Sequence, residues 1–232
     1  MQAIADFPAS LPPGAAPDWG LVQTVCLDMD GTVLDLRFDN LFWLEVLPRR
    51  WAEARGLEWP AAIAQLQSRF EAKRGTLEWY CIDHWSVELD FDIAALKREL
   101  SQEIRYLPGA LAFLRQLRAL GKRVLLTTNA HPISLAIKDG QAGLAGHFDE
   151  LVSSHEFGVP KESAQFWERL AQSHRVDPAG TLFVDDSGTV IAAAQAAGVR
   201  WIYQVLQPDS TRPLQRAAQG VTGIHRLADL LG

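Results

Sequence analysis

What most constrains this chain is a set of short strand-like runs, each ending at a polar group. The run Thr24 to Leu27 ends at Asp28, and Lys122 to Leu126 ends at Thr127 and Thr128. Leu151 and Val152 end at Ser153, Thr181 to Val184 ends at Asp185, and Val199 to Val205 makes a fifth run. Apolar runs without polar alternation read as strands covered on both faces, the pattern of a parallel sheet. Helical stretches separate the last four. Pro108 suits a first helical position, Leu111, Leu114 and Leu117 make a stripe, and Gly121 stands where a glycine stops a helix. Pro132 opens a second helix, Ser163 to His174 a third with Phe166 and Leu170 on one face, and Thr189 to Ala197 a fourth closed by Gly198. This alternation predicts an α/β fold, a doubly wound parallel sheet with right-handed crossovers.

One interval breaks the rhythm. Between Asp28 and Pro108 lie roughly eighty residues without a second strand, far beyond an ordinary connection between a strand and a helix. Leu41, Leu44, Leu47 and Trp51, then Ile63, Leu66 and Phe70, then Ile93, Leu96, Leu100 and Ile104 recur at helical spacing, with Gly56 and Gly75 as breaks. The expected organisation is a Pro-rich leader over 1–18, an α/β core over 19–35 and 107–232, and an all-helical module over 36–106 inserted after the first strand. Such a module leaves and re-enters near the carboxyl end of that strand and is placed to cover whatever lies there.

Charge and composition remove several classes of function. Lys plus Arg is 22 against 28 Asp plus Glu, a net charge of −6, so no overall positive field exists to hold nucleic acid or an anionic membrane. Hydrophobic residues at 48% with 22% charged exclude bulk disorder. Apolar runs such as Val190 to Ala194 are far short of the ~20 residues of a spanning helix. The first basic residue is Arg37, and Pro8, Pro12, Pro13 and Pro17 interrupt the N-terminal stretch, so no secretory signal is expected and the expected location is the cytoplasm. Cys26 and Cys81 suit buried thiols, and neither a disulfide framework nor a zinc site is expected of them.

In an open parallel sheet, ligands collect beyond the carboxyl ends of the strands. Three run ends carry reactive or hydrogen-bonding groups: Asp28 with Asp30, Thr128 with Asn129, and Asp185 with Asp186; the loop after Ser153 reaches Lys161. That inventory matches phosphate-ester cleavage. A carboxylate, Asp28, can attack phosphorus and divide one displacement into two through an aspartyl phosphate. An acid attacking an anion needs cations, and Asp28, Asp30, Asp185 and Asp186 supply hard oxygens for Mg²⁺, while Lys161 adds a fixed ammonium. Asp30, after which Gly31 permits a tight turn, would protonate the leaving oxygen and later deprotonate water, favoured in its acid form by burial and neighbouring acids. Thr128 and the Asn129 N–H would hold the phosphoryl group.

Asp28-Met29-Asp30-Gly31-Thr32, the run ending in Thr128-Asn129, Lys161, and Val184-Asp185-Asp186-Ser187 resemble, in order, the four motifs of haloacid-dehalogenase-superfamily phosphatases. The resemblance extends from about Trp19 to the C-terminus and implies a Rossmann-like core with an inserted helical cap. It also implies the roles just assigned, leaving open which of Asp185 and Asp186 ligates the metal directly. Phe38-Asp39-Asn40, Leu77-Glu78-Trp79-Tyr80-Cys81, Asn129-Ala130-His131-Pro132 and Phe157-Gly158-Val159-Pro160-Lys161 resemble the bacterial GMP/IMP 5′-nucleotidase branch. This second likeness implies a purine nucleoside monophosphate as substrate and points to Asn40, Trp79 and Tyr80 as cap residues that set specificity; Lys73 joins them as a cation able to steer an anionic substrate.

The same residues admit other readings. A phosphomutase or another small-ester phosphatase uses the same core groups. A dehalogenase needs neither Asp30 as acid nor the metal acids, and in a receiver domain the acidic pair precedes the phosphoacceptor. A silent scaffold is favoured only by an incomplete site. Thr128-Asn129 also reads as a helix cap, Asp185-Asp186 as helix-terminal acids, and the tryptophans of the insertion as its core. His131 reads as a turn residue, and the six histidines show no metal-type spacing.

Overall fold

The structure is a computed structural model that describes residues 16–231. Positions 1–15 of the expected leader lie outside the described residues. Thr24–Leu27 forms the first strand, β1, buried along its whole length. The chain then runs through helices α1 (Arg37–Leu41), α2 (Leu47–Arg55), α3 (Trp59–Lys73), α4 (Leu77–Tyr80), α5 (Ile82–Leu89) and α6 (Ile93–Glu99) before returning. After α7 (Ala110–Ala119) come β2 (Arg123–Thr128), α8 (Pro132–Ala142), β3 (Glu150–Ser153), α9 (Ala164–Ser173), β4 (Thr181–Asp185), α10 (Gly188–Ala196), β5 (Trp201–Val205) and β6 (Thr222–Ile224).

Among the described residues the strands form one sheet in the order β3-β2-β1-β4-β5-β6, with each pair parallel. The chain winds outward from β1 on both sides, so the crevice beside β1 is the topological switch point. Alternate residues of β1 serve opposite faces: Val25 and Leu27 join one buried cluster with Phe113, Leu114 and Leu117 of α7, and Cys26 joins another with Phe166, Leu170 and Ile191 of α9 and α10. Both faces are covered by helices, which is why the strands read as unbroken apolar runs. The edge strand β6 went unread because it is three residues long, half-buried over most of its length and contains Gly223. Pro108 stands two residues before α7 rather than at its first position, because left-handed Gly109 (φ 87°) caps the helix.

The helices from α2 to α6, with the π-helical turn before them, have a core of their own, built on Phe42, Leu47, Trp51, Leu66, Trp85, Ile93 and Leu96. Here a regular stripe through Leu41, Leu44 and Leu47 does not form. A π-helical turn over Phe42–Val46 joins α1 to α2 and inserts an extra residue into one turn, so burial runs through Phe38, Phe42, Leu47 and Trp51. Leu44 is left 49% exposed. The four-, five- and four-residue steps among the buried positions are what an α-helix interrupted by one wide turn produces. No helix among the described residues is long and apolar enough to cross a membrane.

Removing a fully buried aromatic leaves a cavity, whereas trimming an exposed leucine does not. Phe42→Ala should therefore lower unfolding free energy by about 3–5 kcal/mol and Leu44→Ala by less than about 0.5 kcal/mol in urea titrations, the reverse of what a plain heptad-like stripe predicts.

Candidate active site

Strand register brings the separated acids level. Leu27 pairs with Leu126 on one side and with Val184 on the other, so the next residues, Asp28, Thr127 and Asp185, emerge side by side at the carboxyl rim. The Asp28 N–H donates to the Val184 carbonyl at 2.9 Å, which extends the ladder one residue beyond β1. Thr128 pairs with Ser153, and the loop after β3 returns Lys161 beneath the acids.

Lys161 is the centre of the arrangement. Its buried ammonium donates to Asp28 Oδ1, to Asp185 Oδ2 at 2.7 Å and to the Thr127 carbonyl at 2.9 Å. Its backbone N–H donates to Asn129 Oδ1 at 2.8 Å, and the Trp167 indole N–H donates to its carbonyl at 2.8 Å. The Asn129 amide donates in turn to Glu162 Oε2 (2.9 Å), whose other oxygen accepts the Tyr80 hydroxyl (2.6 Å). A half-buried tyrosine of the inserted helices is thus tied to the loop that carries the lysine. Thr128 Oγ1 accepts the Ala130 N–H at 3.0 Å and lines the cavity.

Carboxylate oxygens of Asp28, Asp185 and Asp186 lie within 4.8 Å of one another. Burial pushes the Asp28 carboxyl up to about 7, with Asp185 and Asp30 adding repulsion and Lys161 opposing them. Burial likewise raises Asp185, and it raises Asp186 well above the usual range with repulsion from Asp185 and Asp28. Lys161 is held up, against its own burial, by Asp185 and Asp28. One ammonium among two buried acids and a half-buried third leaves negative charge uncompensated, and an oxygen-only donor set is what a hard divalent cation takes. The residues fit Mg²⁺.

Gly31 (φ 84°) turns the chain away beneath this set. A Cβ there would come within 2.8 Å of both the Asp186 carboxyl and Pro208, so only glycine admits the close approach. Asp30 departs from the expected ligand set: its carboxyl is not with the three acids but ion-paired to Lys138 of α8 at 2.6 Å. Lys138 also meets Asp39 of α1 (2.5 Å), which meets Lys97 of α6 (2.7 Å), and both lysines are buried. Burial raises the Asp30 carboxyl while Lys138 opposes it; the acid beside it is Asp39, which burial would raise but which Lys138 and Lys97 hold below the usual range. Lys138, Lys97 and Glu162 were missed in the sequence because each reads alone as a solvated helix or loop charge.

Rim and helices enclose a cavity of about 420 Å³, within the size range of pockets that hold small organic ligands. Asn40, Trp79 and Tyr80 line it, as do Trp43, Phe70 and Trp85. The rings meet edge-on around Phe70, at 5.7 Å to Trp43, 6.1 Å to Trp79 and 4.9 Å to Trp85. Lys73 is not brought to the cavity: at the end of α3 its ammonium pairs with Glu78 at 2.6 Å. Trp51 is buried in the helical core and Trp59 stands 45% exposed. Cys26 is buried, its thiol pushed up to about 12 by desolvation, an inert packing residue.

A sequence profile for haloacid dehalogenase-like hydrolases matches residues 22–198. The chain belongs to this family. It is accordingly an enzyme, a hydrolase. Among curated proteins it is 41% identical over 192 residues to the GMP/IMP nucleotidase YrfG of Escherichia coli, an alignment covering 83% of this chain and 86% of that one. The fold is similar to that of a HAD phosphatase from Thermococcus onnurineus (TM-score 0.76, 19% identity, covering 90% of this chain and 96% of the other). A putative beta-phosphoglucomutase from Thermotoga maritima gives a TM-score of 0.65 at 19% identity, covering 90% and 97%.

The raised acids set the sign of the pH dependence. With no divalent cation present, the folded protein keeps protons on Asp28, Asp185 and Asp186 that the unfolded chain has released, so stability falls as pH rises from about 4 towards 7. Urea titrations with chelator should show this slope, a shallower one for Asp28→Asn, and a flattened one with Mg²⁺. A stability that rises over the same window contradicts the charge arrangement.

Proposed function

We infer that the protein is a Mg²⁺-dependent phosphomonoesterase that works through an aspartyl phosphate on Asp28, with a purine nucleoside 5′-monophosphate as substrate. The observation that carries the chemistry is the buried carboxylate cluster at the switch point, organised on Lys161 and opening into the cavity.

Asp28 attacks phosphorus, the ester P–O bond breaks, and Asp30 gives its proton to the leaving oxygen. Water, losing a proton to Asp30, then attacks the phosphorus of the aspartyl phosphate, releasing phosphate and restoring Asp28. Burial favours the acid form of Asp30 and Lys138 the carboxylate, and a group that gives and regains a proton needs both. Lys161 sits against Asp28 and Asp185 and neutralises charge as the phosphoryl group arrives. Thr128 and Asn129 line the cavity, where the hydroxyl of the first and the backbone N–H of the second would hold phosphoryl oxygens. Asp28, Asp185 and Asp186 would hold Mg²⁺, which when bound supplies charge neutralisation at the transferring phosphoryl group. The segment 36–106 acts as a cap that excludes water.

The nucleotide assignment is supported by the nucleotidase relative and by the aromatic wall of the cavity. Trp79 and Trp43 present rings against which a base can stack, and Asn40, whose amide donates to Asp209 at 2.7 Å, offers a polar edge beside them.

Phosphate release from purine and pyrimidine monophosphates and from sugar phosphates, with and without Mg²⁺, tests this reading. Purine nucleotides should lead by at least about tenfold in kcat/KM, a difference of about 1.4 kcal/mol. Equal rates across unrelated esters reject the nucleotide assignment and leave a general phosphatase. Asp28→Asn should lower kcat by at least about 10⁴-fold and should fail to trap label from a phosphate-labelled substrate, whereas robust turnover by that variant rejects the mechanism.

A further inference from the structure

Beside the carboxylate site the fold assembles a second cluster of a different chemical kind. Cys81, at the junction of α4 and α5, His131, which caps α8, and His155, in the turn after β3, place one ligand atom each within 4.8 Å of one another. Nothing in their sequence spacing announces this, because they come from the inserted helices and from two separate loops of the core.

The surroundings suit a ligand set. The His131 and His155 rings meet edge-on at 4.9 Å. Among the described residues, Nε2 of His155 is buried without a hydrogen-bond partner. A buried polar nitrogen in that position costs stability unless something occupies its lone pair. The Cys81 sulfur accepts the backbone N–H of His84 at 3.4 Å, and the Asp83 carboxylate stands 3.6 Å from His131 Nε2.

We propose that Cys81, His131 and His155 form a second metal site, one that takes Zn²⁺ or a similar borderline-soft divalent ion and fastens the inserted helices to the rim of the sheet. Sulfur and imidazole favour such an ion, while the oxygen-only set of Asp28, Asp185 and Asp186 favours Mg²⁺, so the two sites divide metals by ligand softness. Tetrahedral zinc with bonds of about 2.0–2.3 Å needs ligand atoms about 3.3–3.6 Å apart, so from separations within 4.8 Å the three side chains need close by no more than about 1.5 Å. Three protein ligands leave one position for water or for Asp83. Cys81 adjoins Tyr80, and His131 follows Asn129 by two residues, so an ion here joins the two sides of the cavity mouth. Occupancy should hold the helices down and slow exchange of substrate and product.

Co²⁺ added to the full chain in excess Mg²⁺ reads the site directly, since cobalt bound by a thiolate shows an intense near-ultraviolet charge-transfer band that oxygen-ligated cobalt lacks. One equivalent should produce the band, one equivalent of Zn²⁺ should erase it, and Asp186→Asn should retain it. Cys81→Ser should lose the band, and His155→Gln should weaken cobalt binding by at least about tenfold, while both variants keep Mg²⁺-dependent phosphate release. Zn²⁺ should raise the melting temperature of the wild type and leave that of Cys81→Ser unshifted. A wild-type protein with no thiolate band, or a band that survives in Cys81→Ser, overturns the proposal.

Discussion

Buried negative charge at the strand ends is the constraint on which the remainder of the molecule depends. Parallel register sets Asp28 and Asp185 side by side, and Asp186 follows, in a place where water is scarce and repulsion is strong. Such a site persists only if cations are built in. Lys161 is the first of them, and its ammonium is fixed on three sides by Asp28, Asp185 and the Thr127 carbonyl. The loop that delivers it is itself anchored through Asn129, Trp167 and Glu162, so much of the architecture around β3 serves to hold one charge in place.

The inserted helices extend the same logic. Asp30 lines the same cavity as the carboxylate set and joins an alternating chain of Lys138, Asp39 and Lys97, which crosses from α8 into α1 and α6. Lys97 rests among the Phe38, Phe42 and Trp43 rings, the nearest centroid 4.5 Å away, so a charge inside the helical core is balanced by both a carboxylate and aromatic faces. The π-helical turn is what turns Phe42 inward while Trp43 and Leu44 face the cavity. Protonation at Asp30, the packing of the helices and the shape of the cavity are therefore linked through contiguous side chains. Lys138 and Lys97 also line the cavity, so a change in either would reach both the reacting groups and the pocket wall.

Much of the core was legible in advance because its signals are local. Unbroken apolar runs follow from strands buried on both faces, and Gly121 and Gly198 follow helices that need a left-handed residue next. In the helical segment the same reasoning failed at Leu44, since the wide turn depends on how the segment packs and not on any one residue. β6 was missed for lack of length, and Lys73, expected among the cap residues that set specificity, pairs instead with Glu78 and is not among the residues that line the cavity. Lys138 and Glu162 were passed over because a charged residue on a helix or loop carries no mark of the partner that will bury it.

From the sequence alone came the order of strands and helices, the long insertion after the first strand, and the reactive residue types at each strand end. Those depend on periodicity and on neighbours close in the chain. Only the tertiary structure decided which acids share a site, that Asp30 faces Lys138, and that Cys81, His131 and His155 meet. These are contacts between segments far apart in sequence, fixed by strand register and by the packing of helices over the sheet. No local pattern encodes them, because the free energy that selects them is shared among all the elements that pack.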